Sequence, residues 1–426
     1  MPHYWRDQRV ARSVPWSGSV VAMMIALALT AGCGQASGAL HTPMPTATAT
    51  PLPAVPLSWQ TAAQQISFPV SMKGLQGAGL PGAFAVAPGD GNTAYACMVT
   101  RRANATEASA SVWLTHDRAA HWMAKSSVAS GQIGSAPNSR SLCAVVVDQT
   151  EASTAVLTVV WQSTPDDFTL SDTSTLATFD GGATWQQLTS PVPAIINQLA
   201  TWQGSTYAIR EVGAGPVPEP TDLMLSRDHL RTWQPIDQPI TAGQQSGQLF
   251  FRSFWVNPSS GEILVETDDN TCGGTKQLWD TRDGGQQWTQ LPVPAIQSVF
   301  VEAPAAGQAW HICGAQYAGF GSLMCSVDGG QSWTSRPNPG SVVAIADDGA
   351  VLETAPGDLS ASGSSQQSTL YRLAADASTW QSLGPVPESE VSYAPDPTPG
   401  VFWSLQLSGT PTIYGPQTSF LTVAYP

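Results

Sequence analysis

The sequence predicts an all-β protein built by repeating one short turn-and-strand unit, and three observations carry that expectation. Glycine (38) and proline (34) punctuate the whole chain, and 16 tryptophans supply large rings for burial. Only 11% of the 426 residues are charged, too few for helical bundles or coiled coils, which need Ala, Glu, Lys and Leu at helical periods. An acidic turn closed by a tryptophan recurs along most of the chain.

Residues 1–57 precede the repeats. Arg6, Arg9 and Arg12 form a basic start, and an apolar run from Val20 to Leu29 leads into Thr30-Ala31-Gly32-Cys33. Ten apolar residues are too few to span a bilayer as a lasting helix, so residues 1–32 read as a signal peptide. Small residues before a cysteine resemble the bacterial lipoprotein signal, which implies cleavage before Cys33 and lipidation of its thiol. Thr30 departs from the usual Leu, and an ordinary secretory signal is the alternative. Two or three acyl chains would anchor the chain stably, whereas one gives marginal binding. Residues 33–57 are rich in Pro, Thr and Ala without hydrophobic periodicity, so they read as a disordered tether. The expected location is the extracytoplasmic face of the cell membrane.

The repeat occupies residues 58–426. In chain order its copies are Thr115-His116-Asp117 through His121-Trp122, Thr178-Phe179-Asp180-Gly181-Gly182-Ala183-Thr184-Trp185, and Ser226-Arg227-Asp228 through Thr232-Trp233. Thr281-Arg282-Asp283-Gly284-Gly285-Gln286-Gln287-Trp288 and Ser326-Val327-Asp328-Gly329-Gly330-Gln331-Ser332-Trp333 follow, and a sixth, slipped copy lies near Asp376 and Trp380. A short carboxylate at a hairpin turn accepts from inward-pointing N–H groups. Glycine at the fifth position supplies a positive φ, and the tryptophan opens the next strand and buries its ring between sheets. The aspartates therefore read as turn staples. Strands are expected in fours: Ser141–Val147, Thr154–Trp161, Thr175–Phe179 and Thr184–Leu188, then Val299–Glu302, Ala309–Cys313, Leu323–Ser326 and Trp333–Arg336.

The pattern S/T-x-D-x-G-x-S/T-W is the Asp-box, and the chain resembles the sialidase-like (BNR) β-propellers. Among these it is more similar to photosystem II assembly-factor propellers than to true sialidases. The resemblance implies a β-propeller; seven blades, at about 53 residues each against repeats of roughly 40–50, fit the length, with six or eight as the alternatives. Ser58-Trp59-Gln60 looks like a last strand without its turn. Segments near Tyr393, Phe402–Leu407 and Pro411–Tyr414 lack such a strand, so joining the ends completes the seventh blade and removes exposed edges.

Five cysteines follow Cys33. Cys313 and Cys325 flank a glycine-rich turn and can face each other as a cross-strand disulfide. Cys97 and Cys143, in adjacent blades, either pair or remain buried thiols, leaving Cys272 over. His311 and Cys313 share one strand face, but no zinc spacing accompanies them, and no metal or cofactor is expected.

With a net charge of −14 and lysine only at Lys73, Lys125 and Lys276, the chain is a poor partner for nucleic acid or for anionic lipid through a polybasic patch. The resemblance places the working surface opposite the acidic turns. Candidate binding residues there are Arg101, Arg102, Arg140, Arg210, Arg252, Asp166, Asp167, Asp268 and Asp269, in loops that differ between blades, such as 211–219. A sialidase would need three arginines, a Tyr–Glu nucleophile pair and a Phe-Arg-Ile-Pro-like motif before the first box. No such motif lies between Ser58 and Thr115. Phe251-Arg252-Ser253-Phe254 is a displaced echo, and Arg140, Arg210 and Arg252 with Tyr207 or Tyr414 are the residues that would have to converge. No catalytic residue is assigned. The expectation is a membrane-anchored, non-catalytic binding or scaffolding module for protein or glycan partners, with an exo-sialidase-like glycoside hydrolase as the alternative.

Overall fold

The computed structural model describes residues 58–61, 66–69, 84–87, 92–101, 106–117, 120–132, 141–161, 173–188, 195–211, 221–241, 249–268, 276–302, 308–315, 322–336, 341–345, 350–355, 369–374, 379–385, 393–395, 402–408 and 416–425. These residues form antiparallel sheets, with one short helix. Two strands come first, β1 (Ser58–Thr61) and β2 (Ile66–Pro69). Six four-stranded sheets then follow in chain order. They are β3–β6 (Phe84–Val86, Ala94–Arg101, Glu107–Thr115, Met123–Gln132), β7–β10 (Ser141–Val147, Ala155–Trp161, Thr173–Thr178, Gln186–Gln187) and β11–β14 (Ile195–Trp202, Ser205–Glu211, Thr221–Ser226, Gln234–Pro235). After helix α1 (Gln238–Thr241) come β15–β18 (Phe250–Val256, Ile263–Asp268, Gln277–Thr281, Thr289–Gln290) and β19–β22 (Ser298–Glu302, His311–Ala315, Leu323–Ser326, Thr334–Arg336). The sixth sheet is β23–β26 (Ser341–Ile345, Val351–Ala355, Thr369–Leu373, Gln381–Pro385). A last sheet joins β27 (Tyr393–Pro395), β28 (Phe402–Ser408) and β29 (Pro416–Tyr425) to the two N-terminal strands. In it Trp59 of β1 stands opposite Ala424 of β29, and Ile66 of β2 opposite Ser419. The expected segment Pro411–Tyr414 lies outside the described residues, and the strand that receives β1 is β29.

Successive residues of a strand point to opposite faces of its sheet, and β8, β16 and β20 are buried on both faces because neighbouring sheets pack on either side. Tyr95 and Leu114 of the first sheet pack with Leu157 and Trp161 of the second. Val156 of the second meets Leu199 of the third, whose Ile209 and Leu223 pack on Phe251, Phe254 and Val265 of the fourth. Leu278 packs with Ile312 of the fifth sheet, whose Leu323 reaches Val351 and Leu373 of the sixth. Cys97 and Cys143 are bonded between the first two sheets, and Cys313 and Cys325 within the fifth; Cys272 lies outside the described residues.

The acidic turns share one bonding scheme. Thr178 Oγ1 donates to Asp180 Oδ1 at 2.8 Å and accepts the Gly182 N–H at 2.8 Å. Asp180 in turn accepts the Thr184 N–H at 2.9 Å and the Thr184 hydroxyl at 2.6 Å. The Thr184 hydroxyl, then its N–H, hold the Asp180 carboxyl down at about 2. Ser226, Asp228 and Thr232 repeat the scheme, as do Ser326, Asp328 and Ser332. At Asp117 an imidazole replaces the hydroxyl, with His121 Nδ1 at 2.6 Å from Oδ2. At Asp283, where Gln287 takes the place of the Ser/Thr, the carboxylate accepts the Thr281 hydroxyl at 2.8 Å and the backbone N–H groups of Gln286 and Gln287 at 2.9 Å each. Asp376 of the slipped copy lies outside the described residues.

The glycines are needed where the turn is tight. Gly285 has φ +91°, and a Cβ there would stand 2.9 Å from Ile236 Cδ1. The third turn differs, because His229 and Leu230 adopt φ 55° and 64° themselves. Leu230 fills the core beside Val146 and Leu199, which offsets the left-handed backbone cost.

Two strand expectations shift for local reasons. The segment Thr184–Leu188 shrinks to β10 (Gln186–Gln187) because Thr184 is committed to the Asp180 turn. The segment Ala309–Cys313 moves to His311–Ala315 because the Trp310 carbonyl accepts the Gly329 N–H. The tryptophans also differ in depth. Trp122 is 7% exposed, whereas Trp185, Trp233, Trp288, Trp333 and Trp380 are half-buried.

Thr178→Val is expected to lower stability by about 1–3 kcal/mol, because the buried Gly182 N–H loses its acceptor. Urea unfolding followed by tryptophan fluorescence measures it, and an unchanged midpoint would refute the staple reading.

Candidate functional site

The charged groups gather at the ends of the third and fourth sheets remote from the acidic turns. A one-residue bulge builds the same device in both. In β11 the pairing jumps from Ile196 to Gln198 and leaves Asn197 unopposed; in β15 it jumps from Phe251 to Ser253 and leaves Arg252 unopposed. A bulge bends the strand and re-aims the extra side chain. Asn197 Nδ2 donates to Glu211 Oε2 at 3.1 Å, and Arg252 Nε donates to Asp268 Oδ2 at 2.9 Å. Glu211 ends β12 and Asp268 ends β16, so each bulged residue clasps the last carboxylate of the neighbouring strand.

Further ion pairs surround these two clasps. Arg210 Nη2 lies 2.7 Å from Asp222 Oδ2 in the third sheet. In the fourth, Lys276 Nζ lies 2.6 Å from Asp268 Oδ2 and 3.0 Å from Glu266 Oε1. The Arg252 guanidinium also stands 5.1 Å from the Phe250 ring centroid. Burial pushes the Glu266 carboxyl up, with Lys276 opposing. Lys276 is itself raised: burial pulls it down, but Glu266 and Asp268 outweigh that. Asp237, just beyond β14, is buried and pushed up to about 6 by burial, with the nearby Asp222 charge adding to the rise.

Among the described residues, three buried polar atoms at these sheet ends have no hydrogen-bond partner: Asn197 Oδ1, Arg210 Nε and Gln277 Oε1. Gln277 and Lys276 line a cavity of about 600 Å³ with Gln290, Leu291 and the Pro292-Val293-Pro294 link to the fifth sheet. A smaller cavity of about 310 Å³ lies on the turn side, bordered by Asn257, Ser260, Glu262, Arg282 and Gln308. Beside it Asp280 is raised to about 6 by burial and by Glu262, with which it shares a hydrogen bond.

Of the residues expected on the binding face, the structure pairs Arg252 with Asp268 in the fourth sheet, while Arg210 pairs with Asp222 in the third. Asp268 and Glu211 are buried strand ends rather than open loop residues, because Arg252, Lys276 and Asn197 hold them there. Arg101 ends β4 opposite Ala108, while Arg102, Arg140, Asp166, Asp167 and Asp269 lie outside the described residues. Tyr207 does not join the arginines. Its hydroxyl lies by Gly284 in the fourth acidic turn, at the other end of the sheets. Tyr414 lies outside the described residues. Sequence reasoning did not single out Asn197, Asp222, Asp237, Glu266 or Gln277, and it counted Lys276 only for its charge. The alternation that places Glu266 and Asp268 on one face of β16 was the available signal.

No protein-family model matches the sequence, and no curated protein matches it. Solved structures do. YCF48 from Cyanidioschyzon merolae aligns at 12% identity and TM-score 0.48, over 86% of this chain and 99% of that one. YCF48 bound to D1 peptide aligns at 13% identity and TM-score 0.48, over 88% and 96%. The Trypanosoma rangeli sialidase with the inhibitor DANA aligns at 13% identity and TM-score 0.36, over 80% of this chain and 54% of that one. The chain is thus similar to the two kinds of protein that its acidic turns resemble, and the likeness is one of fold.

Proposed function

We propose that the chain is a non-catalytic binding module: a closed seven-bladed propeller, tethered outside the cytoplasm through a lipid on Cys33, that takes an extended peptide segment of a protein partner at the ends of the third and fourth sheets. One observation carries the reading. The charged side chains there are clasped to one another, while Asn197 Oδ1, Arg210 Nε and Gln277 Oε1 find no partner among the described residues, and Gln277 lines an open cavity. Unsatisfied buried donors and acceptors are costly, and an incoming peptide backbone supplies the complementary C=O and N–H groups. YCF48, which has been captured with D1 peptide, shares this class of partner. Support for closure comes from the β1–β29 pairing and from contacts of β27 with both β23 and β3.

The clasped carboxylates argue against hydrolysis. Glu266 and Asp268 share the Lys276 ammonium and Asp268 is also bound by Arg252, so both are committed to cations of the chain itself. The acidic turns are equally committed. Asp237 favours a second reading, because a carboxyl raised to about 6 beside a second carboxyl, Asp222, has the form of an acid–base pair.

Peptides selected from a displayed random library against the immobilised chain test the proposal. Arg252→Gln or Asn197→Ala should weaken selected peptides about tenfold, or ~1.4 kcal/mol, while Asp180→Ala leaves them bound. Equal binding by all variants would remove the site from this face. Turnover of fluorogenic sialosides or glucans, with a pH limb lost in Asp237→Asn, would favour the hydrolase. The tether has its own test: Cys33→Ser should abolish metabolic labelling by fatty acid, and persistent labelling would refute the anchor.

A further inference from the structure

A second cluster lies away from that face, in the core between the fifth and sixth sheets. Among the described residues, His311, Cys313 and Cys325 are the one group whose metal-ligating atoms all fall within 4.8 Å of one another. The topology makes it. His311 and Cys313 stand two residues apart on β20 and so project to one face, and Cys325 stands directly opposite Cys313 on β21. His311 Nε2 lies 3.6 Å from Cys313 Sγ. The other ring nitrogen, Nδ1, lies 3.4 Å from Glu302 Oε2 on the far neighbour β19, where Glu302 and His311 are register partners. All three ligand residues are buried, with Leu323, Val351 and Leu373 packed around the sulfurs.

This is the arrangement of a metal-binding histidine. A carboxylate on one ring nitrogen fixes the ring and leaves the other nitrogen to the metal. Tetrahedral zinc, with Zn–S near 2.3 Å and Zn–N near 2.0–2.1 Å, holds neighbouring ligand atoms roughly 3.5–3.8 Å apart. The nitrogen-to-sulfur separation already meets that spacing. Only the two sulfurs are too close, because they are bonded to each other.

We propose that the Cys313–Cys325 disulfide is the closed form of a redox-gated zinc site, with His311, Cys313 and Cys325 as ligands, Glu302 as the orienting carboxylate and water in the fourth position. Opening requires a dithiol. It gives two electrons and two protons to the disulfide and leaves as its own cyclic disulfide. Zn²⁺ then binds both sulfurs as thiolates and Nε2 as neutral imidazole, and the two thiol protons pass to the medium. In an oxidising compartment the pair stays closed. Where dithiol reductant reaches it, zinc capture blocks reoxidation.

Cobalt(II) reports such a site by its thiolate charge-transfer band and by the visible bands of a tetrahedral ion. The full chain, reduced with a dithiol and desalted without air, should bind one equivalent of Co²⁺ that Zn²⁺ displaces, and the unreduced chain should bind none. His311→Gln and Glu302→Gln leave the disulfide in place, so each folds through the same oxidised form. His311→Gln should lower the affinity at least tenfold, and Glu302→Gln about tenfold. Cys97→Ser/Cys143→Ser should leave it unchanged. Absence of the bands in reduced, folded chain would overturn the proposal. So would bands that persist at full affinity in His311→Gln, or a pair that dithiol cannot open without unfolding the chain.

Discussion

A chain that begins at Phe84, without β1 and β2, is expected to self-associate and to lose on the order of 4–12 kcal/mol of stability. The two strands pair with β29 through Ser58–Thr61 and Ile66–Pro69. If each residue pair keeps about one hydrogen bond worth roughly 0.5–1.5 kcal/mol net, their removal costs a large share of the 5–15 kcal/mol that holds a typical domain. The loss also uncovers one side of β29, which runs from Pro416 to Tyr425 and is the longest such edge the truncation could create. Unpaired strand edges recruit other chains. Light scattering after size exclusion reads the association, and urea unfolding reads the stability. A synthetic peptide covering residues 58–69 should restore the monomer. A truncated chain that stays monomeric and unfolds at the full-length midpoint would show that the terminal pairing contributes nothing.

Lys276→Met should cost about 3–5 kcal/mol, the usual consequence of removing one partner from a buried ion pair. Lys276 is the shared cation of Glu266 and Asp268, and Glu266 is 5% exposed. Glu266→Gln added to Lys276→Met should recover part of the loss, because it removes the stranded charge. The pH dependence follows from the direction of the Glu266 shift. Burial holds its folded carboxyl above the unfolded value, so its contribution is complete below the unfolded pKa and is lost as pH rises through the folded one. Without Lys276 the folded value rises further. The deficit of the variant should therefore be smallest near pH ~4 and grow toward pH ~7, read as urea midpoints. A deficit that is small at neutral pH, or that shrinks as pH rises, would refute the assignment of Lys276 as the cation that makes this cluster tolerable.

The acidic turns were legible because their chemistry is local. Thr178, Asp180, Gly182 and Thr184 meet within seven residues, so the spacing itself states the bonds. That the N-terminal strand joins the C-terminal sheet was legible for a different reason, because Ser58-Trp59-Gln60 looks like the end of a unit whose beginning is missing; the strand that receives it, Pro416–Tyr425, was not. The candidate site was only partly legible. Arg252 could be singled out, but a bulge sets its direction, and a bulge leaves no fixed residue pattern. Asp268 reads as a loop residue beside Asp269 and Asn270; its place depends on Lys276, eight residues further along the chain. Asp222 and Asp237 gain meaning only through Arg210 and through each other, on strands brought together by the sheet. Local grammar is written in the chain, whereas contacts between strands must be built.

The bulge has a consequence for how such a protein changes over generations. The pairing jump recurs in β23, where Val343 takes the position held by Asn197 and Arg252 in their sheets. A residue that the ladder does not oppose is released from cross-strand demands, so exchanging it alters what the face offers without disturbing the staples at the far end. Single replacements at a few equivalent posts can thus vary what the remote sheet ends present, so that latitude and rigidity are housed at opposite ends of the same strands.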